Sequence, residues 1–412
     1  MNILFLSNVF PGPLHPAKGT FNRSLIGALS EQHAVRVVSP VSWLERLRAR
    51  WKRTQDPVAT EVDGVPVTYP TFYYPPKVSR SRYDDWMTWS LRRHLQNETR
   101  VFRPDAILSY WVHPDGSCAT RLAKELGVPS VVMTGGSDVL LLGREGARRR
   151  RILSTLAAAD AVIAVSGNLR DRLVADGLSA DKVHVVHRGL NPEVFHPQPI
   201  AEARTRLNQP TDRRLIVGVG RLVPVKGWEL LIDACGELHR KGRRFACVIV
   251  GGGELHSSLH RRIEALGLEQ VVTLAGARPQ SELADWYRAA DVVALTSLSE
   301  GIPNVLLEAM SCGTRWVATD VGGVREIADP GAHRMLTSRD PAELAAALEA
   351  TWGLGPVDPR TLVFQPDDWR GSAARVAEIV SDCLSGATVK DSVRGDALQP
   401  HALGAGGGTS WA

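Results

Sequence analysis

The residues of this sequence best suited to chemistry are two glutamates, Glu300 and Glu308, in the run SEGIPNVLLEAMSCG. Pro303 fits the first position of a helix, where its missing N–H costs little, and apolar residues follow it at helical spacing. Glu300 then lies in the loop at the positive end of this helix, where the amide groups also suit an anion such as phosphate. Glu308 lies inside the helix. A surface helix with two solvated acids fits the same letters, but an unpaired carboxylate within an apolar run would be costly.

Two cations occur near a second predicted helix start. In GRLVPVKGWELLIDA, Gly220 follows a predicted strand, and Arg221 and Lys226 flank the start of the helix. Two cations at this place could neutralise a diphosphate without a metal. A solvated helix start explains the same residues equally well. After the next predicted strand comes VGGGEL, a glycine turn around Gly252 that suits close approach of a ligand to the backbone.

The elements that must position these groups are short apolar strands alternating with helical patterns. In the first half the predicted strands are 3–7, 35–39, 106–109, 131–134 and 161–165, with helices such as 21–30 and 117–126 between them. After a proline-rich break at 189–213 they are 215–219, 246–250, 271–274, 292–296 and 316–319. The alternation predicts parallel strands joined by crossover helices, and hence two doubly wound α/β domains. Ligands of such sheets bind beyond the carboxyl ends of the strands, so two facing domains would form a cleft.

The composition narrows the class of protein. The chain has 412 residues, enough for two domains, and its 44% hydrophobic and 23% charged residues are ordinary for a globular protein. The net charge of +5 is spread along the chain and is compatible with an anionic substrate or membrane surface. Five widely spaced cysteines argue against a disulfide framework or a zinc site and favour a reducing compartment. No run reaches about 18 apolar residues and MNILFLSNVFPGP lacks a basic start, so we expect a cytoplasmic protein without a membrane span or signal peptide.

Four motifs, in this order, carry a family resemblance: GRLVPVKG, VGGGEL, SLSEGIPNVLLEAMSCG and ATDVGGVREI. Together they closely resemble the retaining nucleotide-sugar glycosyltransferases of family 4, which have the GT-B fold. The resemblance covers nearly the whole chain, because HRGLNPEVFHP looks like the family's interdomain segment and ADAVIAVSGNLRDRL like its last amino-terminal helical unit. It implies an α/β GT-B fold with two Rossmann-like domains that face each other across a cleft.

We expect five segments along the chain. An N-terminal, acceptor-side Rossmann-like domain covers 1–190, an interdomain linker 191–213, and a C-terminal, nucleotide-sugar-binding Rossmann-like domain 214–365. A helix over 366–384 then crosses back to the first domain, as in the GT-B fold. Residues 385–412 are small, polar and glycine-rich, which predicts a disordered tail.

The resemblance assigns roles in the second half, position by position. Arg221 and Lys226 match the pair that holds the donor diphosphate. Glu308 matches the glutamate that accepts hydrogen bonds from the ribose hydroxyls, and Glu300 matches the one beside the transferred sugar. The glycine turn at Gly252 belongs to the same donor site. The loop whose backbone amides face the sugar and the phosphates corresponds to Gly301, Ile302, Pro303 and Asn304.

In the first half the resemblance points to three places. Lys18 and Gly19 precede a predicted helix and resemble the flexible loop that reaches the donor phosphate, although the family often has paired glycines there. His113 follows a strand in YWVHPDGS, like the family's histidine that contacts the donor sugar and the reaction centre. A lone histidine is more often structural, yet a position at a strand end favours function. Asp138 in GGSD is predicted to contact the acceptor or to take part in domain closure.

The chemistry that the resemblance implies needs no cofactor and no metal. A sugar leaves a nucleoside diphosphate, UDP or GDP, and joins an acceptor hydroxyl, while Arg221, Lys226 and helix amides stabilise the leaving group. For retention, the acceptor attacks the face from which the leaving group departs, or a carboxylate first traps the sugar. Because the glutamate that Glu300 matches is mostly assigned to positioning, we favour same-face attack with a phosphate oxygen as the base.

A basic pattern with tryptophans bears on the acceptor. Residues 41–53, VSWLERLRARWKR, place apolar residues from Trp43 to Trp51 at helical spacing among basic ones, which is typical of a helix resting on anionic lipid. A helix packed on its own domain fits nearly as well, and the run Arg148–Arg151 has the same two interpretations. If both touch a membrane, the acceptor is a lipid-linked saccharide for a cell-surface polymer or a glycolipid. YWVHPDG followed by GGSD also resembles the subgroup assigned to teichuronic-acid and exopolysaccharide assembly.

Other functions of the same fold stay open. A nucleotide-sugar epimerase or a sugar phosphorylase is the nearest alternative. A non-catalytic, nucleotide-sugar-binding scaffold would be expected to lose one of the paired glutamates or cations, and all four are present. A dinucleotide-dependent oxidoreductase needs G-x-G-x-x-G after a strand and an acid about 20 residues later, which neither VGGGEL nor DVGGVREI provides. We expect no nucleic-acid partner.

Overall fold

Two parallel sheets, each with helices on its faces, organise the chain. The computed structural model describes residues 1–16, 18–51, 58–140 and 146–386. Within them, one sheet has eight strands, a second has six, and two short strands pair separately. This architecture confirms the predicted α/β class with two doubly wound sheets.

The N-terminal half forms the larger sheet. Its strands are β1 (Asn2–Leu6), β2 (Ala34–Val38), β3 (Val41–Ser42), β4 (Ala59–Val62), β5 (Val65–Thr68), β6 (Thr71–Phe72), β7 (Ala106–Tyr110), β8 (Ser130–Thr134), β9 (Ala161–Ala164) and β10 (Val183–Val185). Its helices are α1 (Thr20–Ser30), α2 (Trp43–Trp51), α3 (Tyr83–Phe102), α4 (Ser117–Leu126), α5 (Ser137–Leu140), α6 (Gly146–Ala158) and α7 (Gly167–Ala175). The sheet order is β10-β9-β8-β7-β1-β2-β5-β4, with β3 paired to β6 apart from it. Only β4 runs antiparallel to its neighbour among the strand pairs described.

The C-terminal half forms the second sheet. After α8 (Ile200–Arg206), its strands are β11 (Arg214–Val219), β12 (Phe245–Val250), β13 (Val272–Gly276), β14 (Val292–Leu295), β15 (Trp316–Thr319) and β16 (Arg334–Leu336). Its helices are α9 (Trp228–Arg240), α10 (His256–Ala265), α11 (Gln280–Ala289), α12 (Asn304–Ser311), α13 (Pro341–Trp352) and α14 (Trp369–Ser385). The strands run parallel in the order β13-β12-β11-β14-β15-β16.

Burial on both faces explains why the central strands are apolar throughout. In β1, residues 3–6 are fully buried. Ile3 is flanked by Val35 of β2 on one side and by Ala106 of β7 on the other. Strands covered by helices on both faces read as continuous apolar runs, which is the pattern that makes them visible in the sequence. The predicted strands accordingly agree with the observed ones to within two residues.

The shortest strands escaped prediction. The strands β3, β4, β5, β6, β10 and β16 have two to four residues each. Such short runs carry no clear periodicity.

The described strands of the first sheet lie before the predicted linker at 191–213, and those of the second sheet lie after it. The domain limits themselves stay a prediction. The predicted disordered tail lies outside the described residues from 387 onward. Of the helices described, none is both long and apolar enough to cross a membrane.

The last helix returns to the first sheet. Helix α14 packs with its apolar side chains in the core beneath that sheet. Where it begins, the chain runs beside the segment that leaves β10: the Leu190 N–H donates to the Asp367 carbonyl at 2.9 Å, and Leu190 and Asp368 form a parallel bridge. A Cβ on Gly189 would lie 2.4 Å from the Asp368 carbonyl oxygen, so the two segments need glycine there. The chain therefore passes between the two sheets twice, at one place.

Candidate active site

Helix α12 positions the two glutamates. It begins at Asn304, so Glu300 lies in the loop before it and Glu308 in its second turn. The predicted helix start is wrong by one residue: Pro303 stands just before the helix with an extended backbone (φ −79°, ψ 105°). A proline there still leaves no N–H to be satisfied at the helix start.

Glu308 is buried in the core of the second sheet. Only 7% of it is exposed, and the Tyr287 hydroxyl donates a hydrogen bond of 2.6 Å to its Oε2. Burial raises the pKa of Glu308 to about 7, although the bond from Tyr287 lowers it. Its other oxygen, Oε1, accepts no hydrogen bond from the residues described. The interpretation of Glu308 as a solvated surface acid is therefore wrong, and its free oxygen suits a ligand hydroxyl.

Glu300 is paired with Lys226. The Lys226 Nζ lies 2.5 Å from Glu300 Oε1, and the Ser297 hydroxyl donates to the same oxygen at 2.6 Å. Both charged side chains are largely buried, which strengthens the attraction between them. Two residues from separate sequence motifs therefore form one ion pair, and the ammonium group of Lys226 is already bound to a carboxylate of the protein.

Arg221 has the opposite environment. It lies two residues after the end of β11, and its side chain is exposed. Within the described parts of the chain this side chain makes no hydrogen bond or ion pair, while the Arg221 carbonyl accepts a bond of 2.9 Å from the Trp228 indole. The backbone is thus fixed and the guanidinium is left for an anion, for which its planar fork of donors is well suited.

The glycine turn after β12 packs backbone against backbone with the turn after β11. A Cβ on Gly251 would lie 1.8 Å from the Gly220 carbonyl oxygen, and one on Gly253 would lie 2.4 Å from that of Leu222. At the predicted position, Gly252, the nearest atom to such a Cβ is in Ala277, at 3.5 Å. Close packing within the protein therefore requires the flanking glycines, and Gly252 keeps the open space that a ligand could use.

The loop before α12 touches the first sheet. A Cβ on Gly301 would lie 2.9 Å from the Gly135 carbonyl oxygen and equally close to a methyl group of Val165. Both partners follow strands of the first sheet, β8 and β9. On the other side of the loop, a Cβ on Gly322 would lie 1.9 Å from the Glu300 carbonyl oxygen. The predicted cleft thus closes at Gly301, where loops of both sheets meet.

The remaining residues of this loop are anchored by packing and by an arginine that the sequence analysis missed. Ile302 and Pro303 are buried, and Ile302 belongs to the core of the second sheet. Arg188 contacts both halves of the chain: its Nη1 donates to Asn304 Oδ1 at 3.3 Å, and its Nη2 donates to the Tyr110 hydroxyl at 2.6 Å. Arg188 lies in HRGL, the segment that resembles an interdomain connection. That position was the sequence signal that could have identified Arg188 as a contact between the two halves.

Gly19 is fixed by its own half of the chain. It precedes α1 with a left-handed backbone (φ 68°), and a Cβ there would lie 2.3 Å from the Val9 carbonyl oxygen. The neighbouring Lys18 acts electrostatically on Asp115, a fully buried carboxyl group whose pKa burial raises to about 7. The described contacts therefore explain why glycine stands here, and its approach to a donor phosphate stays a prediction.

His113 is not brought together with the residues of the second sheet. It is almost fully buried, with Nε2 3.2 Å from the Arg80 carbonyl oxygen and Nδ1 3.9 Å from Asp84 Oδ1. Burial lowers the pKa of His113, and the nearby Asp84 opposes that shift. Asp84 is itself held by Arg121 and Arg151 at 2.8 and 2.7 Å. These contacts are what a structural histidine makes, and the predicted catalytic role of His113 stays a prediction.

Asp138 is likewise buried. Its carboxylate accepts hydrogen bonds from the backbone amides of Val112 at 3.3 Å and Gly135 at 3.0 Å. It thereby ties the residue before His113 to the glycine loop that meets Gly301. These bonds hold the loops of the first sheet together, and the predicted contact of Asp138 with the acceptor, or its part in domain closure, stays a prediction.

The two basic helices differ. In α6, Arg149 pairs with Asp176 at 2.6 Å and Arg151 pairs with Asp84, so packing on its own domain accounts for these two arginines. Contact of this helix with a membrane stays a prediction. In α2, Trp51 is 81% exposed and Leu47 40%. The last two residues of the predicted interfacial pattern, 52 and 53, lie outside the described residues.

Comparison with known proteins agrees with this geometry. Residues 19–194 match the family model Glycosyltransferase Family 4, and residues 199–351 match Glycosyl transferases group 1. A D-inositol 3-phosphate glycosyltransferase of Frankia alni is 34% identical over 63% of this chain and 68% of its own length. TuaC of Bacillus subtilis, named as a teichuronic acid biosynthesis glycosyltransferase, is 28% identical over 84% of this chain and 88% of its own length. The chain spans only 57% and 62% of two further D-inositol 3-phosphate glycosyltransferases, from Thermobispora bispora and Catenulispora acidiphila.

Solved structures show the same fold at low identity. HepE of Anabaena in complex with UDP superposes with a TM-score of 0.70 at 20% identity, covering 93% of this chain and 100% of that one. Sucrose-phosphate synthase of Thermosynechococcus elongatus gives 0.76 at 19% identity, covering 94% and 99%. The GT-B arrangement of the two sheets is therefore shown by structure as well as by sequence.

Proposed function

The chain belongs to the glycosyltransferases of group 1 and family 4, and from this premise we propose that it is a retaining enzyme that moves a hexose from a nucleoside-diphosphate sugar to an acceptor hydroxyl. The proposal rests above all on the free Oε1 of buried Glu308. Arg221 supports the proposal because of its position. It follows β11, which pairs with β14, and β14 is the strand before the helix that carries Glu308. A ribose hydroxyl would donate to Glu308, and the diphosphate would bind Arg221 and the amide end of α12.

In the proposed reaction the leaving group also supplies the base. The bond between the anomeric carbon and the β-phosphate oxygen breaks, and the acceptor oxygen forms a new bond to that carbon from the same face. The acceptor proton passes to the departing phosphate oxygen. Arg221 and the α12 amides stabilise the charge that develops on the diphosphate, which is an electrostatic contribution fixed before the reaction.

Glu300 fits a positioning role better than that of a nucleophile. Its Oε1 accepts hydrogen bonds from both Lys226 and Ser297, which hold the carboxylate and reduce its electron density. We therefore assign Glu300 and Lys226 together to the transferred sugar and the phosphate next to it, with Lys226 exchanging part of its interaction with Glu300 for the donor.

UDP is the first donor base to test, with GDP the second. HepE, which shares the fold at 20% identity, has been solved with UDP and with UDP-glucose. The proposal requires no metal and no cofactor, because Arg221, Lys226 and the helix amides provide the positive potential that a diphosphate needs.

Calorimetry with UDP, GDP and ADP tests the donor site. We expect one of them to bind the wild-type chain and to raise its unfolding temperature in proportion to occupancy. Glu308→Gln should weaken that binding by about tenfold or more, as expected for a lost charge-assisted bond. Glu237→Gln, at a partly exposed position of α9 paired with Arg240, serves as the control and should leave binding unchanged. If none of the three nucleotides binds or protects, the proposal fails.

Product analysis separates the enzyme classes. A transferase releases free nucleoside diphosphate only as a sugar is transferred. A nucleotide-sugar epimerase would instead change the sugar while the nucleotide stays attached, and a sugar phosphorylase would require inorganic phosphate. Either of those outcomes would replace the transferase assignment within the same fold.

For the acceptor we propose a saccharide, lipid-linked and presented at the cytoplasmic face of an anionic membrane. The exposed Trp51 and Leu47 of α2 alternate with Arg48 and Arg50, which suits insertion into an anionic surface. TuaC, which matches most of this chain, is named for teichuronic acid, a polymer of the cell surface.

Vesicle sedimentation tests this membrane contact. The chain should bind vesicles that contain phosphatidylglycerol and not those of phosphatidylcholine alone. Trp51→Ala should reduce the binding several-fold, and Val363→Ala, at an apolar residue that is 79% exposed in the C-terminal half, should not. Equal binding of all variants, or none, would contradict the proposed surface.

A further inference from the structure

Glu326 joins the second sheet to a helix of the first. It lies in the turn that follows β15, and its carboxylate accepts two hydrogen bonds from the start of α7: one of 2.8 Å from the Gly167 amide to Oε2 and one of 2.6 Å from the Asn168 amide to Oε1. These residues are 159 and 158 positions away in the chain. His187, between the two sheets, places its Nε2 3.7 Å from Oε2.

The two amides depend on Glu326 because α7 cannot satisfy them. The first N–H groups of a helix have no partner within it. Here Ser166 caps the helix: its hydroxyl accepts from Leu169 at 3.1 Å, and its carbonyl accepts from Arg170 at 3.0 Å. Gly167 and Asn168 are left over, and the carboxylate of Glu326 takes both. A negative charge at the positive end of a helix adds to the attraction.

The ionised form of Glu326 is the one that fits this place. Burial favours the neutral acid, yet the nearby His187 and the hydrogen bonds from the Asn168 and Gly167 amides together hold the pKa of Glu326 below its usual value. Each carboxylate oxygen has its own amide, so the two bonds fix the direction of the side chain as well as its position.

The same turn supports the loop of the proposed donor site. The Gly323 amide donates to the Gly301 carbonyl at 2.8 Å, and a Cβ on Gly322 would lie 1.9 Å from the Glu300 carbonyl oxygen. The chain from Gly322 to Glu326 therefore touches the sugar-side loop at one end and the first sheet at the other. The position of Glu326 is therefore linked to that of the Glu300 loop through Gly322 and Gly323.

We propose that Glu326 is a positioning residue that clamps the Glu300 loop onto the start of α7 and so sets the width of the cleft during transfer. Its catalytic consequence rests on the proposed function, whereas the clamp itself does not. Loss of the clamp should leave donor binding to the second sheet nearly intact. It should impair transfer, because transfer requires donor and acceptor sides at a fixed separation.

Hydrogen exchange at single-amide resolution tests the clamp without any ligand. In the wild-type chain the amides of Gly167 and Asn168 should exchange slowly. Glu326→Ala should speed their exchange by about tenfold or more, since each loses a bond to a charged acceptor. The Leu169 and Arg170 amides provide the internal control, because Ser166 satisfies them in either variant.

Glu343 offers a matched control variant. Its carboxylate also accepts from two successive amides, Thr337 at 2.6 Å and Ser338 at 2.9 Å, but all three residues belong to the second sheet's half. Glu343→Ala should free those two amides and leave Gly167 and Asn168 protected. Fast exchange of Gly167 and Asn168 in the wild-type chain, or no change in Glu326→Ala, would overturn the proposal.

A kinetic comparison then separates positioning from simple loss of structure. For Glu326→Ala we expect UDP affinity within about threefold of wild type and a fall in kcat of about tenfold or more. Unchanged kcat with freed amides would show that the clamp does not act in catalysis and would overturn its functional part. If the wild-type chain does not bind UDP at all, the proposed function fails, and the exchange result still decides whether the clamp exists.

Discussion

The Lys226 ammonium lies 2.5 Å from Glu300 Oε1, although 74 residues separate them in the chain. The pair connects the turn after β11 with the loop before α12. It lies where the sequence predicts a diphosphate cation and a sugar-side carboxylate. The charge of each residue is therefore compensated within the protein, and under the proposed function a donor phosphate would compete with Glu300 for Lys226.

Breaking this pair should cost stability as well as activity. Lys226→Ala leaves the Glu300 carboxylate largely buried without its cation, so we expect the free energy of unfolding to fall by about 2 kcal/mol or more. In a double-mutant cycle with Glu300→Ala, the losses in free energy of unfolding of the two single variants should sum to clearly more than the loss of the double variant. Urea unfolding measures all three variants. Arg240→Ala, which breaks an exposed pair with Glu237, should change stability by less than about 0.5 kcal/mol.

Glu308 should make stability depend on pH around neutrality. The native state holds its proton with a pKa of about 7, against 4.5 for the unfolded chain. The wild-type chain therefore loses stability as pH rises from 4.5 to 7 and loses no more above 7. Glu308→Gln removes this loss. The free energy of unfolding of the variant minus that of wild type should therefore be larger at pH 8 than at pH 5, by up to on the order of 3 kcal/mol.

Urea unfolding of both variants at these two pH values measures the effect. Asp115 also has a pKa raised to about 7 by burial, but it is present in both chains and cancels in the difference. The same difference at pH 5 and pH 8 would mean that the carboxylate is already ionised in the native state.

The neighbouring glycines of the VGGGEL turn should respond differently to the same substitution. Gly253→Ala places a methyl group 2.4 Å from the Leu222 carbonyl oxygen and should lower the free energy of unfolding by about 2 kcal/mol or more. Gly252→Ala has 3.5 Å to its nearest neighbour and should leave stability nearly unchanged. If a donor approaches Gly252 closely, that variant should still bind UDP several-fold more weakly by calorimetry. Equal destabilisation of the two variants would contradict the observed packing.

His113 should behave first as a structural residue. His113→Ala removes a buried ring and leaves the Arg80 carbonyl without its partner, so we expect a loss of about 2–4 kcal/mol in urea unfolding. UDP affinity should stay within about threefold. His260→Ala, at an exposed position, is the control and should alter neither quantity. Full stability with kcat lowered more than a hundredfold would instead place His113 at the reacting atoms.

The sequence was most informative where one element alone decides the outcome. Residues 3–6 form a strand because they are continuously apolar, and Glu308 lies inside a helix because its neighbours follow a helical period. Its burial also followed from the apolar run around it. None of these conclusions needed knowledge of a partner far away in the chain.

What the sequence could not provide were contacts between distant segments. Lys226 and Glu300 each looked like a ligand for the donor, and only their distance shows that they bind each other. Arg188 and Glu326 were missed because their partners, Asn304 and the amides at the start of α7, lie on the other sheet. A backbone amide leaves no trace in the residue letters, so a carboxylate that binds amides looks like any surface acid.

The side-by-side passage of the chain at Leu190 and Asp368 limits how the enzyme can move. If only one segment of the chain joined the two halves, one half could rotate about that segment as freely as it could bend. Here two segments of the chain lie side by side and are joined by a hydrogen bond, so we expect a twist about one segment to be resisted by the other. We therefore expect any motion between the two halves of the chain to turn about the place where Leu190 and Asp368 meet. Such a motion would change the distance between Gly301 and Gly135, which approach each other from the two halves of the chain.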